Sequence, residues 1–185
     1  MHENFASLKS DTDHKMGHAV DKLGRELSGL RTGRASIALL DGVMVVAYGA
    51  SVPLNQVASL STPDARTIGV SVWDRANVQA VEKAIRESDL GLNPNSDGTL
   101  IRISIPPLTE ERRRELTKVA GGYGEDAKVA VRLIRKDAME EAREIEKSED
   151  QQRLNEAEIQ KLTDRRIAEI EGLVKSKQAD IMSIS

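Results

Sequence analysis

The 185-residue chain contains no cysteine. That excludes disulfide staples, thiolate nucleophiles, iron–sulfur clusters and cysteine-ligated zinc, and it agrees with a reducing compartment. Aromatic residues make up only 2% of the chain. A core must therefore be assembled from Leu, Ile, Val and Ala, and a stacking platform for single-stranded nucleic acid is disfavoured. No apolar run approaches the roughly 20 residues a membrane-spanning helix needs. The opening stretch, Met1–Asp11, has neither the apolar centre of a secretory signal nor the Arg-rich, acid-poor character of a transit peptide. A soluble, cytoplasmic protein is expected. Motifs of catalysis are missing as well: there is no G-x-S-x-G, Walker motif or dinucleotide fingerprint. The run Gly121–Gly124 has no strand before it and no Lys-Ser/Thr after it. No catalytic residue and no cofactor is expected.

What the chain does contain is charge, 31% of residues, spread over an apolar content of 39%. That mixture suits long solvated helices. From about Asn4 to Leu30, Met16, Val20, Leu23, Leu27 and Leu30 step by three and four, and Phe5 and Leu8 extend the same face. Gly17 and Gly24 weaken this helix by about 1 kcal/mol each relative to Ala. A second helical region opens after Pro106-Pro107 near Thr109 and runs to about Lys147. Its expected seam is Leu116, Ala120, Tyr123, Ala127, Ala130 and Ile134. Ser148 is a cap signal for a third helix, with Ile159, Thr163, Ile167, Ile170, Val174 and Ile181 on one face.

Between the helical regions the pattern changes. Gly42–Tyr48, Arg66–Trp73 and Thr99–Ile105 read as strands, Ala76–Glu87 as a short helix, and Asn93–Gly98 as a turn-rich link. The fold class expected is α+β: a discontinuous three-helix bundle (residues 1–30 and 107–185) with a small β/α/β domain (31–106) inserted after its first helix. The chain crosses twice between the domains, at Leu30, Arg31, Thr32 and Gly33 and again at Ile105, Pro106, Pro107 and Leu108. Gly in one crossing and Pro-Pro in the other suggest a hinge of limited freedom.

Two charged constellations stand out. His14 and His18 share a helix face with Asp11 and Asp21, but no H-E-x-x-H accompanies them, so a solvated face is expected and no metal site. In the second helical region Lys128, Arg132 and Arg135 recur at i, i+4 and i+7, with Lys136 beside them and Glu125, Lys118 and Arg114 further back along the face. Arg112 and Arg113 lie close by. The formal net charge of the chain is −3, so this stripe runs against the overall balance. Arginine offers forked donors that suit phosphate. Structured RNA, read through its phosphates and shape, is the natural partner. A helical adaptor that binds protein helices is the alternative.

Five stretches in order carry a family resemblance: Arg31–Ser36 (RTGRAS), Ser88–Asn95 (SDLGLNPN), Pro106–Leu116, Lys128–Ala138 and Gln160–Asp164 (QKLTD). In this register the sequence resembles the ribosome recycling factor family. The resemblance implies a long three-helix bundle joined by a hinge to a compact β/α/β domain, an L-shaped monomer with an outline like tRNA. It also implies binding to the post-termination ribosome and, with elongation factor G and GTP hydrolysis, splitting of the subunits. The bundle would contact large-subunit rRNA, with Arg132 and Arg135 at the family's VR-x-x-R arginines and Arg31 and Arg34 near the hinge end. The second domain would face elongation factor G. A family variant that binds ribosomes without recycling them would keep the same rRNA face. Three departures are visible. Leu133, Lys136 and Met139 stand where the family usually has Asn, Arg and Asn. Gly121, Gly122 and Gly124 interrupt a helix, which predicts a softened turn, and the bundle tip before Lys147 is about four residues short.

Overall fold

The computed structural model describes residues 1–183 and divides into two compact units. Among the described residues, one comprises Met1–Thr32 with residues 110–183, the other Gly33–Thr109. The first unit holds three long helices: α1 (Phe5–Ser28), α3 (Glu110–Ile145) and α4 (Glu149–Met182), each packed against the other two. At 1.5 Å per residue, the 36 residues of α3 extend about 54 Å. Asn4 opens α1 by accepting a hydrogen bond from the Ser7 amide at 2.9 Å, and Ser148 caps α4 through the Gln151 amide.

The α1 seam lies inside at Leu8, Met16, Leu23 and Leu27, with Phe5, Val20 and Leu30 half-buried. Thr12 fills the step between Leu8 and Met16, a position the apolar pattern passes over. On α3 the buried line runs Leu116, Ala120, Gly124, Ala127, Val131, Ala138 and Ala142. This corrects the expected seam: Tyr123, Ala130 and Ile134 are only half-buried, and Gly124 and Val131 take the central places. On α4, Ile159, Thr163, Ile170 and Ile181 are buried as expected, Asn155 and Leu162 join them, and Ile167 and Val174 are half-buried.

The glycine run does not break α3, which is continuous through it. Gly124 is there for space, since a Cβ would come 2.5 Å from Cγ2 of Val174 on α4. A Cβ on Gly122 would meet nothing within 4 Å. Gly17 of α1 has a similar use: its bare face admits the Arg166 guanidinium, 3.2 Å from where a Cβ would stand. That guanidinium and Arg165 both reach across from α4 to Asp13, whose Oδ1 accepts from Arg165 Nη2 at 2.7 Å and from Arg166 Nη2 at 2.9 Å. Burial works against the Asp13 charge, but the hydrogen bonds and cations of Arg166 and Arg165 outweigh it and hold the carboxyl below its ordinary range. Nothing in the packing explains Gly24.

In the second unit, β1 (Met44–Ala47) and β2 (Ala50–Pro53) form a hairpin, and β3 (Ala58–Asp64), β4 (Thr67–Val72), β5 (Pro94–Asp97) and β6 (Leu100–Ser104) form an antiparallel sheet in the order β3-β4-β6-β5. Tyr48 and Gly49, at φ 54° and 78°, turn the first hairpin, the paired left-handed conformations that suit strand twist. Because β6 runs antiparallel to both β4 and β5, those two are parallel, and α2 (Val78–Arg86) connects them. A β/α/β unit with β6 lying between its strands is the result. Val81 and Ile85 of α2 pack with Val45 of β1, Ile68 and Val70 of β4, and Ile101 and Ile103 of β6 in one core. The strands read from alternation are present. Asn93–Gly98 is not only a turn, because Pro94–Asp97 forms edge strand β5; β2 and β3 are additional strands.

The two glycines of α3 should behave oppositely. Gly122→Ala gains helix propensity of about 1 kcal/mol without a clash and should raise the thermal midpoint by about 4 °C. Gly124→Ala gains the same propensity but overpacks against a stiff valine, at about 1–3 kcal/mol, and should melt at or below wild type. Circular dichroism at 222 nm checks both, and a Gly124→Ala midpoint as high as that of Gly122→Ala would refute the close approach.

The Asp13 cluster makes a pH-dependent prediction. With its folded pKa lowered, its contribution is fully present above the unfolded value near 3.9 and is lost as pH falls through the lower folded value. Asp13→Asn should therefore be less stable than wild type at pH 7, by at most about 1 kcal/mol at this partly exposed site. The two should converge in acid, once the pH has fallen below the lowered folded value. A gap that stays constant from pH 7 to pH 2 would dismiss the ionic account.

Candidate nucleic-acid interface

At about 100° per residue, many of the exposed charges of α3 gather on two flanks, although Glu125 is an exposed acid inside the basic one and Glu111 lies beside it. Arg114, Lys118, Arg132 and Lys136 fall within about 40° of one another. Glu115, Asp126, Asp137, Glu140 and Glu144 fall within about 60° on the other side, and all nine are exposed. The acidic balance of the chain is thus carried partly along the same helix. Lys128 and Arg135 lie further round from the basic flank, toward α4.

That placement decides their surroundings. Lys128 Nζ stands 3.2 Å from Glu171 of α4 and 3.5 Å from Glu125, with 18% of its side chain exposed. The hydrogen bond to Glu171 raises its pKa, against the opposing effect of burial, so the ammonium is already satisfied within the protein. Arg135 is half-buried and donates from Nε to Gln160 Oε1 at 2.7 Å. Gln160 in turn donates from Nε2 to Asp164 Oδ1 at 2.8 Å. This chain fixes the edge of the Arg135 guanidinium. It gives Gln160 and Asp164, the ends of the QKLTD stretch, a positioning role that their spacing alone did not disclose.

The remaining expected residues differ in freedom. Arg132, Lys136 and Lys118 are exposed and, among the described residues, have no hydrogen-bond or ion-pair partner. Arg114 is exposed but pairs with Glu110 at 2.6 Å, one turn earlier. Arg112 pairs with Glu115 at 2.8 Å. Arg113 does not belong to the surface at all. Its side chain is buried, and its Nε finds no partner. Arg31 is exposed in the bundle unit, whereas Arg34, also exposed, belongs to the sheet unit. So the sequence triad Lys128, Arg132 and Arg135 is brought together on α3, but the free charge lies at Arg132 and Lys136, with Lys118 further along the flank. Val129 and Leu133, 61% and 58% exposed, flank them.

Gly33, at φ +80°, begins the sheet unit, and a Cβ there would lie 3.4 Å from Leu108 Cγ. Glycine suits the first crossing because the backbone is left-handed there. No helix is long and apolar enough to cross a membrane among the described residues.

Comparison with known proteins points in one direction. The sequence model described as "Ribosome recycling factor" matches residues 23–182. The chain is 50% identical to the ribosome-recycling factor of Erythrobacter litoralis over 95% of its own length and 97% of the relative's. It is 51% identical to that of Burkholderia mallei over 98% and 100%. Among solved structures it is similar to a solution structure of the ribosome recycling factor, with a TM-score of 0.75 and 42% identity over the full length of both chains. A second likeness, with a TM-score of 0.63 and 44% identity over 97% of this chain and 100% of the other, is to the T. thermophilus ribosome recycling factor. That protein is placed there with E. coli elongation factor G on the E. coli post-termination complex. With the matched sequence, two-unit α+β fold and near-complete coverage taken together, this chain belongs to the ribosome recycling factor family.

Proposed function

We propose that the protein recycles ribosomes: with elongation factor G and GTP hydrolysis it splits the post-termination ribosome into subunits, which then leave the mRNA. The GTPase supplies the energy, and this chain contributes binding and geometry rather than an active site. It acts as a cytoplasmic monomer. Its bundle docks on large-subunit rRNA through the basic flank of α3, and Leu30–Gly33 with Ile105–Leu108 form the hinge. The sheet unit turns toward elongation factor G, where exposed Met44, Val46 and Trp73 supply apolar contact.

The observation that carries this reading is Arg132. It stands at the first arginine of VR-x-x-R, is exposed, and has its charge uncommitted. An unpaired guanidinium can meet phosphate without first breaking an internal bond. Lys136 adds a second free cation one turn on, while Arg135 offers a guanidinium already oriented through Gln160. The T. thermophilus relative, placed with elongation factor G on a post-termination complex, supports the same partners here.

Light scattering of post-termination ribosomes tests the activity. A drop that requires this protein, elongation factor G and GTP together is expected. No drop, and no co-sedimentation with large subunits, would favour the helical adaptor. The surface is tested by salt-dependent binding. Arg132→Ala should weaken large-subunit affinity and reduce the salt slope by about one, whereas Lys128→Ala, whose charge is spent on Glu171, should change it little. Equal losses for the two variants would remove the distinction between free and committed cations. Gln160→Ala should lower affinity less than Arg135→Ala and leave the salt slope at its wild-type value, because it unties the guanidinium without removing charge.

A further inference from the structure

The exposed face of α1 carries a feature unrelated to the rRNA flank. His14 and His18 lie one turn apart, their Nε2 atoms 3.0 Å apart and their ring planes 61° apart. Neither ring has another partner among the described residues. Two exposed imidazoles gain little by hydrogen-bonding each other instead of water. Their separation is informative for a different reason. Two nitrogens bound to one metal at 2.1 Å and 90° stand about 3.0 Å apart, while a tetrahedral angle spreads them to about 3.4 Å. The observed separation is that of a hydrogen bond and is also short enough for both nitrogens to reach one ion, and among divalent ions imidazole nitrogens hold Cu²⁺ most tightly, ahead of Ni²⁺ and Zn²⁺.

The surroundings are anionic where it matters. Asp21, on the same helix face one turn beyond His18, is exposed and has no partner among the described residues. The nearest cation of the same groove, Arg166, is occupied by Asp13 and Glu169. Asp11 is committed to Lys15 and His2. Among the described residues no three His, Cys, Asp or Glu side chains form a closed cage.

We propose that His14 and His18 form an open two-imidazole chelate for a divalent transition-metal ion, Cu²⁺ in preference to Ni²⁺, with Asp21 adding charge and solvent completing the coordination. Such a site clips two successive turns of α1 and binds the folded helix alone, so the metal raises the stability of the bundle by mass action.

The full chain, free of any tag, is titrated with Cu²⁺ and with Ni²⁺, followed by the visible absorption of Cu²⁺, by calorimetry and by the thermal midpoint. One ion per chain is expected, bound more tightly for Cu²⁺, with a midpoint that rises as metal is added. His14→Gln and His18→Gln should each weaken binding by at least about tenfold, since even the loss of an outer-shell partner reaches that size, and should abolish the rise in midpoint. Both side chains are exposed, and an unchanged far-UV spectrum without metal shows that the helix has survived. His2→Gln, which removes the remaining histidine, should leave both readouts as they are. Three results overturn the proposal: no wild-type binding at millimolar metal, binding unaltered in the His14 and His18 variants, or binding that disappears in His2→Gln.

Discussion

The antiparallel register of α3 against α4 is the constraint on which the rest of the bundle surface depends. It is pinned where Gly124 lets the Val174 side chain close on the α3 backbone. From that point further pairs follow along both helices. Gly121 lies opposite Gln178 and Lys128 reaches Glu171, Arg135 reaches Gln160, and Arg143 reaches Glu156 at 2.6 Å. Lys128 and Arg135 project from the α4 side of α3, and Arg143 reaches α4 near the turn that joins the two helices. The register therefore decides which cations are committed inside the protein and which stay free. Arg132 and Lys136 make no pair with α4 among the described residues, whereas Arg143, at nearly the same helical phase, reaches Glu156 close to the turn between the helices.

This explains what the sequence could and could not disclose about the site. Spacing at i, i+4 and i+7 placed Lys128, Arg132 and Arg135 on one face, and the structure keeps them there. It could not distinguish them, because Glu171 and Gln160 lie more than twenty residues away in the chain. The residue that appeared as a neighbour of the triad, Lys136, proves to be one of its free charges. Arg113 shows the same limit from the other side. Its place in a run of three arginines suggested surface, but its phase on the helix points it into the core.

The fold was legible wherever periodicity was strong and hidden wherever a partner made the difference. Alternation at Ile68, Val70 and Val72 and at Ile101, Ile103 and Ile105 marked β4 and β6, the two central strands of the sheet. The strands not foreseen, β2, β3 and β5, each pair on one side only and each contain a proline: Pro53, Pro63 or Pro94. Proline is tolerated at edges because no second ladder asks for its missing amide, and that same tolerance erases the signal of a strand. On α3 the misassigned seam has a related cause. Packing against both α1 and α4 buries a broad face rather than a single line, and Gly124, which reads in the sequence as an interruption of the helix, leaves the space that Val174 needs.

The division of α3 into a basic and an acidic flank gives the overall acidity a physical meaning. A uniformly basic helix would attract polyanions in many orientations, and its affinity would carry little geometric information. Here a rotation of about 100° about the helix axis replaces Arg132 and Lys136 with Asp126, Asp137 and Glu144 at the surface. A phosphate backbone approaching that side meets repulsion instead of exchange of counterions. The committed pairs sharpen the effect, because Lys128 and Glu171 cancel near the α4 edge and contribute little field of their own. On the proposed reading, free cations beside an oriented guanidinium would set the rotational register of the bundle on RNA, with the acids of the other flank disfavouring the alternatives. On this argument a surplus of positive charge is unnecessary, and adding lysines to the acidic flank would cost orientation while raising total affinity.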